Sequence, residues 1–212
     1  LAGVVLLNSC DAMRRLPDAW GRVRPADRVA RVDLPVTTDD GAVAYFASEL
    51  RALAATLAEW RGAPVTDAEL ADALERFDAL AEGVSERRAR LARDALPGGA
   101  AGLQTAINEV LGGGWTNATE RLGIPAAEAK ADVGVPVYVF GNVLPEPEAF
   151  ALFESCGLRV VADDLCTGSR VLAPLAPATD ADPYLRLARG LLGRAPCART
   201  LEPSRPGGHA AR

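Results

Sequence analysis

The chain has 212 residues, 49% hydrophobic and 24% charged, a composition typical of a globular protein with one large domain or two small ones. Its net charge of −5 argues against binding to nucleic acid or to anionic membranes, because the overall field repels phosphate groups. No apolar run approaches the roughly 18–20 residues that a membrane-spanning helix needs, and the single histidine, His209, argues against histidine triads and His-rich zinc sites. We therefore expect a cytoplasmic protein that binds neither nucleic acid nor membrane.

The first predicted elements are a strand, a helix and a second strand. Residues 2–9 form a Val- and Leu-rich run that ends in polar residues and Cys10, the pattern of a parallel strand covered on both faces. A helix is expected over residues 11–20, with Asp11 as its cap. Residues 29–36 alternate apolar and polar side chains and predict a short strand that ends near a proline.

Three helices follow, predicted at residues 42–60, 66–95 and 103–111. The first has apolar residues at three- and four-residue steps and is preceded by Asp39, a good capping residue. The second opens with Thr66 and Glu69, which have the spacing of a capping box. Glycine or proline clusters end all three helices.

The second half of the chain returns to an alternation of strands and helices. Strands are predicted at residues 135–140 and 158–162, and helices at residues 148–156 and 183–192. Two strands joined by a helix indicate a β-α-β unit with a parallel sheet. The residues that follow the second of these strands, Asp163 and Asp164, are more typical of turn and cap residues than of an acid–base pair.

The four cysteines are Cys10, Cys156, Cys166 and Cys197. Cys10 and Cys166 each follow the carboxyl end of a predicted parallel strand, the edge at which α/β proteins bind ligands. Cys197 lies in a loop after the last helix, which could bring it to the same edge, whereas Cys156 ends a helix and is expected to be a packing residue. Spacing alone leaves two interpretations open, since cysteines can be small buried residues or converging ligands of a metal or an iron–sulfur cluster.

The sequence around three cysteines resembles the 2-hydroxyacyl-CoA dehydratase and benzoyl-CoA reductase superfamily. The resemblance is carried by Asn8-Ser9-Cys10-Asp11-Ala12-Met13-Arg14-Arg15, Asp33-Leu34-Pro35, Tyr45-Phe46 with Glu49-Leu50, Gly141-Asn142, Asp163-Asp164-Leu165-Cys166-Thr167-Gly168-Ser169-Arg170 and Pro196-Cys197-Ala198-Arg199-Thr200. The order and rough spacing of these segments fit across nearly the whole chain, and the segment around Cys166 is the most specific of them.

The resemblance implies an α/β fold of two Rossmann-like domains with small parallel sheets, joined by a helical segment, and a cluster-binding cleft between the domains. The expected divisions are 1–62 for the carboxyl-terminal part of the first domain, 63–114 for the helical segment and 115–212 for an incomplete second domain, so that the chain resembles a fragment. Cys10, Cys166 and Cys197 match the ligands of a [4Fe–4S] cluster, and Cys156 does not.

The resemblance also implies a function: a lyase subunit that removes water from a 2-hydroxyacyl-CoA through a ketyl radical, in anaerobic metabolism. The expected partners are the acyl-CoA substrate, a related second subunit in a heterodimer and an ATP-dependent iron–sulfur activator that supplies one electron. Ser169 and Arg170 are candidate substrate-binding residues, although a plain loop role fits them equally well, and no catalytic side chain is identified. A benzoyl-CoA reductase type of subunit and a non-catalytic iron–sulfur or structural partner subunit remain as alternatives.

Overall fold

A computed structural model describes residues 3–93, 95–113, 118, 122 and 134–195. The described residues form two compact units. The first unit lies within Leu1–Glu75 and Leu175–Arg194, and the second lies within Arg76–Pro174 and Ala195–Arg212. Each unit contains its own small parallel sheet and its own apolar core.

The first unit begins with a β-α-β arrangement. Strand β1 (Val4–Leu7) pairs in parallel with strand β2 (Val29–Val32), and helix α1 (Asp11–Val23) connects them. Strand β2 ends earlier than predicted, because the backbone N–H of Leu34 donates to the side chain of Asn8 instead of continuing the ladder.

Two helices complete the first unit. Helix α2 (Asp40–Arg61) begins at the predicted cap, where the Asp39 carboxylate accepts a hydrogen bond from the N–H of Ala42. The last helix of the chain, α6 (Pro183–Leu192), packs against α2 although their sequences are far apart. The buried residues of this core are Val32, Val43, Phe46, Ala47, Tyr184 and Ala188.

Polar contacts also join α6 and the loop before it to α2. The guanidinium of Arg51 lies 4.4 Å from the ring centroid of Tyr184 and also contacts Asp182, the cap of α6. Arg189 contacts both Asp180 and Asp40 at 2.9 Å. These contacts are why residues 175–194 belong to the first unit and not to the segment that precedes them in sequence.

The second unit contains the other β-α-β arrangement. Strand β3 (Val135–Phe140) pairs in parallel with strand β4 (Leu158–Asp164), and helix α5 (Pro147–Ser155) connects them. The register of the pair shifts between Val137 and Tyr138, and the pairing ends with Phe140 opposite Asp164.

Long helices supply most of the remaining core of the second unit. Helix α3 (Asp67–Ala92) begins in the first unit with the predicted capping box, in which Thr66 and Glu69 exchange hydrogen bonds, and it belongs to the second unit from Arg76 onward. Helix α4 (Gly99–Gly113) packs against α5 and β4. The largest fully buried core side chains of this unit are Leu80, Val84, Leu103, Ile107, Val110, Leu122, Phe150 and Leu172.

The prediction of a mixed α/β fold is confirmed, with two small parallel sheets and six helices in the part of the chain that is described. The parallel strands and the order of elements are as expected from the alternation of patterns. The arrangement as two Rossmann-like domains, the cleft and the divisions at 62 and 114 stay predictions.

Three further local predictions were wrong, besides the end of β2. Asp11 is the first residue of α1 and not its cap, since the cap position belongs to Cys10. Strand β4 continues through Asp164, two residues past the expected end. Helix α4 begins at Gly99 and not at residue 103, because an apolar period marks only the buried face and not the first turn.

Candidate functional site

Cys10 lies in the turn between β1 and α1. Its backbone is extended, with φ −159° and ψ 173°, and its carbonyl accepts the N–H of Arg14 at 2.8 Å. The thiol makes no capping hydrogen bond and is partly exposed. The first turn of a helix carries partial positive charge from its free N–H groups, an environment that suits an anionic ligand. The turn therefore presents a partly exposed thiol that does not cap the helix.

Asn8 connects the ends of the two strands in the first unit. Its amide nitrogen donates to Asp33 at 2.8 Å, and its amide oxygen accepts the N–H of Leu34 at 2.7 Å. The backbone N–H of Asp33 in turn donates to the Glu49 carboxylate at 3.1 Å. Sequence reasoning did not identify this role; the only signal was an amide side chain directly after an apolar strand.

The same edge carries Tyr45, whose side chain is exposed to nearly half its area. Desolvation, reinforced by the carboxylates of Glu49 and Asp33, raises the pKa of Tyr45 above its ordinary value. A tyrosine phenol is protonated near neutral pH even without this shift, so Tyr45 is a hydrogen-bond donor there.

Cys166 lies just beyond β4, in a loop that is mostly buried. Cys166 itself is exposed, whereas Leu165 and Ser169 on either side of it are buried. The N–H of Cys166 donates to the carbonyl of Asn142 at 2.9 Å, and its sulfur lies 3.7 Å from the carbonyl oxygen of Gly141. The loop therefore holds its one thiol at the surface while its neighbours anchor it.

The carboxylate of Asp163 organises this loop from inside. It accepts the N–H of Ser169 at 2.9 Å and the N–H of Leu165 at 3.3 Å, and the Ser169 hydroxyl donates to the Asp163 carbonyl at 3.2 Å. Gly168 provides the space for this arrangement, because a Cβ there would lie 2.2 Å from the Asp163 carboxylate. A buried carboxylate thus acts as the cap of the turn, which confirms the turn interpretation for Asp163.

Asp164 has a different partner. Its side chain is 2% exposed, and the guanidinium of Arg170 lies 2.5 Å from its carboxylate. Arg170 also donates to the carbonyl of Ala195 at 3.0 Å. A buried carboxylate needs such a partner, since an unpaired charge in the interior is strongly unfavourable.

Two further hydrogen bonds fix the middle of the loop at Thr167. Its hydroxyl accepts the N–H of Leu144 at 2.9 Å, and its carbonyl accepts the side-chain amide of Gln104 at 2.8 Å. Gln104 is a buried residue of α4, and the same amide donates to Asn108 at 2.9 Å. The position of Cys166 is therefore determined by contacts to the segment that follows β3, to β4 and to α4.

The predicted site residues differ in whether the structure describes them and in how exposed they are. Cys10 and Cys166 both follow the carboxyl ends of parallel strands, each in its own unit, whereas Cys197 lies outside the described residues. Ser169 is fully buried, and Ser169 and Arg170 both have partners within the second unit, so that their contact with a substrate stays a prediction. Cys156 was expected to pack in the core, but it is exposed, because it lies at the solvent-facing end of α5.

Two negative findings concern only the residues that are described. No three His, Cys, Asp or Glu side chains converge there in the manner of a metal site. No helix in that part of the chain is long and apolar enough to cross a bilayer. Cys197 lies outside that part of the chain, so the set of three cysteine ligands stays a prediction.

These features define a class: an α/β protein with two parallel-stranded units, each carrying a thiol at a strand end. A family comparison matches residues 1–208 to 2-hydroxyglutaryl-CoA dehydratase, D-component. The chain belongs to this family, which confirms the resemblance seen around its cysteines. A comparison with curated proteins found no match. Family membership indicates a component of a 2-hydroxyacyl-CoA dehydratase.

Proposed function

We propose that this chain is the iron–sulfur subunit of a 2-hydroxyacyl-CoA dehydratase, and that Cys10, Cys166 and Cys197 hold one [4Fe–4S] cluster. The observation that carries the proposal is the loop around Cys166, which buries its polar residues in order to hold one exposed thiol. A loop that only needed a small packing residue would bury the sulfur. The D-component in the family's description supports a partner component, and we further propose a related second subunit and an ATP-dependent activator.

The residues present fit a thiolate-bound iron–sulfur cluster. The thiols of Cys10 and Cys166 are at least partly exposed, and sulfur ligands suit such clusters. Three cysteines would leave one iron without a protein ligand, in the same way that a catalytic zinc keeps an open position. When bound, the cluster supplies a Lewis acid and a one-electron donor for dehydration of the thioester.

The contribution of the chain itself is positioning. Asp163, Gly168 and Ser169 close the loop from inside, and Arg170 neutralises Asp164. These contacts lie within the chain and hold the loop in place, so the thiol should need little reorganisation to act as a ligand. Residues that support a metal ligand in this way control its orientation. We assign Ser169 and Arg170 this supporting role, alongside the predicted role in substrate binding.

Cysteine replacements with a matched control test the ligand set. The full-length chain, produced with its partner and purified anaerobically, should contain about four irons and about four sulfides per chain. Cys10→Ala, Cys166→Ala and Cys197→Ala should each lose most of the iron, whereas Cys156→Ala should keep it, although Cys156 and Cys166 are both exposed. A stable, iron-free protein, or equal losses in all four variants, would contradict the proposal.

Counting electrons separates the dehydratase from the reductase alternative. A dehydratase returns its electron after each turnover, so product should greatly exceed the reductant consumed. A reductase consumes reductant in proportion to product. The assay combines 2-hydroxyglutaryl-CoA, an ATP-dependent activator and a limiting amount of reductant. Stoichiometric consumption would contradict dehydration.

A further inference from the structure

A cavity of about 300 Å³ lies between α1 and the strands of the first unit, and its lining includes residues that precede and follow Cys10 in the sequence. Its volume is at the lower end of those typical of small-molecule sites, which run from about 300 to 1,000 Å³. The cavity can hold one end of a ligand, and not a whole coenzyme. Its lining residues are Leu6, Asn8, Met13, Arg14, Pro17, Arg31, Val32 and Asp33.

The lining of the cavity contains two arginines and one aspartate, although the whole chain is acidic. Residues 10–31 contain six arginines and three aspartates, whereas the whole chain has a net charge of −5. Arg14 has no side-chain hydrogen bond or ion pair to any residue that the structure describes, and Arg31 makes only an exposed 3.3 Å pair with Asp18. The one carboxylate in the lining, Asp33, accepts a hydrogen bond from Asn8.

The floor of the cavity is apolar. Leu6 is 5% exposed and Val32 is 2% exposed, and Met13 and Pro17 of α1 complete this side. A cavity with an apolar floor and the guanidinium groups of Arg14 and Arg31 in its lining matches a ligand with an apolar body and an anionic end. Arginine is well suited to such an end, because its planar fork can bind a carboxylate or a phosphate through two hydrogen bonds.

The location connects this cavity with the proposed cluster ligand. Asn8 precedes Cys10 by two residues, and Arg14 follows it by one helical turn, with its N–H on the Cys10 carbonyl. A ligand anchored by Arg14 would therefore lie next to the turn that carries the thiol.

We propose that this cavity is a binding site for a small oxyanion on an apolar body, with Arg14 as the anchoring residue. Its assignment to the acyl-CoA substrate rests on the proposed function. Two parts of such a substrate share this chemistry: a distal carboxylate on the acyl group, and a phosphate of the coenzyme carrier.

Calorimetric titration of the full-length, cluster-free chain tests the proposal without turnover. The probes are glutarate for the carboxylate source and adenosine 3′,5′-bisphosphate for the phosphate source. One of them should bind with a Kd below about 10 mM. Stronger binding of glutarate assigns the site to the acyl group, and stronger binding of the bisphosphate assigns it to the carrier.

Adjacent arginines provide the matched control. Arg14→Gln should weaken binding at least about 10-fold, and Arg14→Lys by less, since lysine keeps the charge but loses the fork. Arg15→Gln should change the Kd by less than about 2-fold, because Arg15 carries the same charge but does not line the cavity. Both positions are exposed, and unchanged thermal unfolding verifies that the variants fold.

Three results would overturn the proposal: no binding of either probe, equal weakening by Arg14→Gln and Arg15→Gln, or binding unaffected by Arg14→Gln. The oxyanion site and the iron–sulfur assignment can be rejected independently of each other. A chain that binds a probe through Arg14 but incorporates no iron keeps the oxyanion site and rejects the iron–sulfur assignment. A chain that incorporates iron but binds neither probe rejects the oxyanion site and keeps the iron–sulfur assignment.

Discussion

The turn that carries Cys10 and the loop that carries Cys166 present a thiol in two different ways. The Cys166 loop is closed by its own side chains: the carboxylates of Asp163 and Asp164 are buried and have their partners inside the second unit. The Cys10 turn is held mainly by one bridging side chain, Asn8, and adjoins an open cavity with an arginine that has no described partner.

The difference in polar contacts predicts a different role for each region: rigidity for the Cys166 loop, and ligand binding for the region around Cys10. Buried, fully bonded polar groups make the Cys166 loop rigid, because any rearrangement would leave a charge or an N–H group unsatisfied in the interior. The exposed charges beside Cys10 cost little to leave unpaired in water and so stay available to a ligand. Mutations should therefore affect stability most at Cys166 and ligand binding most at Cys10.

The largest effect on stability is expected from Arg170→Met. This change removes a charged partner from the carboxylate of Asp164, whose side chain is 2% exposed. The free energy of unfolding in urea should fall by about 3 kcal/mol. The control is Arg31→Met, which removes an ion pair whose side chains are 64% and 61% exposed and should cost less than about 1 kcal/mol. Equal losses would mean that buried charge does not distinguish the two regions.

A methyl group added to each region should have opposite effects. Gly168→Ala places a Cβ 2.2 Å from the Asp163 carboxylate, so unfolding free energy should fall by about 2 kcal/mol. Gly21→Ala in α1 meets no atom within 4 Å and should raise it by about 0.5 kcal/mol, because alanine favours a helix more than glycine does. Thermal and urea unfolding measure both. A harmless Gly168→Ala would show that the Asp163 carboxylate can move away.

The bridge in the first unit should have an intermediate effect. Asn8→Ala removes the acceptor of the Leu34 N–H and the donor to Asp33, and unfolding free energy should fall by about 1–2 kcal/mol. The neighbouring exposed Ser9 is the control, and Ser9→Ala should change it by less than about 0.5 kcal/mol. If Asn8→Ala is as mild as the control, water replaces the bridge and the Cys10 turn does not depend on it.

The smallest effect is expected at the exposed capping box of α3, and it should depend on pH. Hydrogen bonds from Thr66, followed by that from Arg61, lower the pKa of Glu69 from 4.5 to about 2. A lowered pKa in the folded state gives stability that is complete above pH 4.5 and is lost as pH falls toward 2. The stability difference between the natural chain and Glu69→Gln should therefore shrink between pH 6 and pH 2. A stability difference that is constant over this range would contradict a contribution of the ionised Glu69 carboxylate to stability.

Much of the fold could be predicted from the sequence, because its determinants are local. Asp39 accepts a hydrogen bond from a residue three positions away, and Thr66 and Glu69 interact over the same distance. Apolar runs between turn residues were enough to predict parallel strands. The family could also be identified, since its segments are contiguous in the chain and the one around Cys166 is specific.

The errors arose where the deciding partner is distant in sequence. The second half of β4 contains two aspartates, which a local pattern excludes from a strand. Those residues can stay in β4 because Ser169 and Arg170 satisfy their carboxylates after the chain has turned back.

By itself, the sequence determined the order of the elements, the parallel sheets, the family and the cysteines that match its pattern. Only the tertiary structure decided that Cys156 is exposed, that α6 packs on α2 and that Arg14 lines a cavity. The reason is the range of the interactions. Caps and periodic faces are encoded within a few residues, whereas burial and charge pairing depend on groups that meet only when the chain has folded.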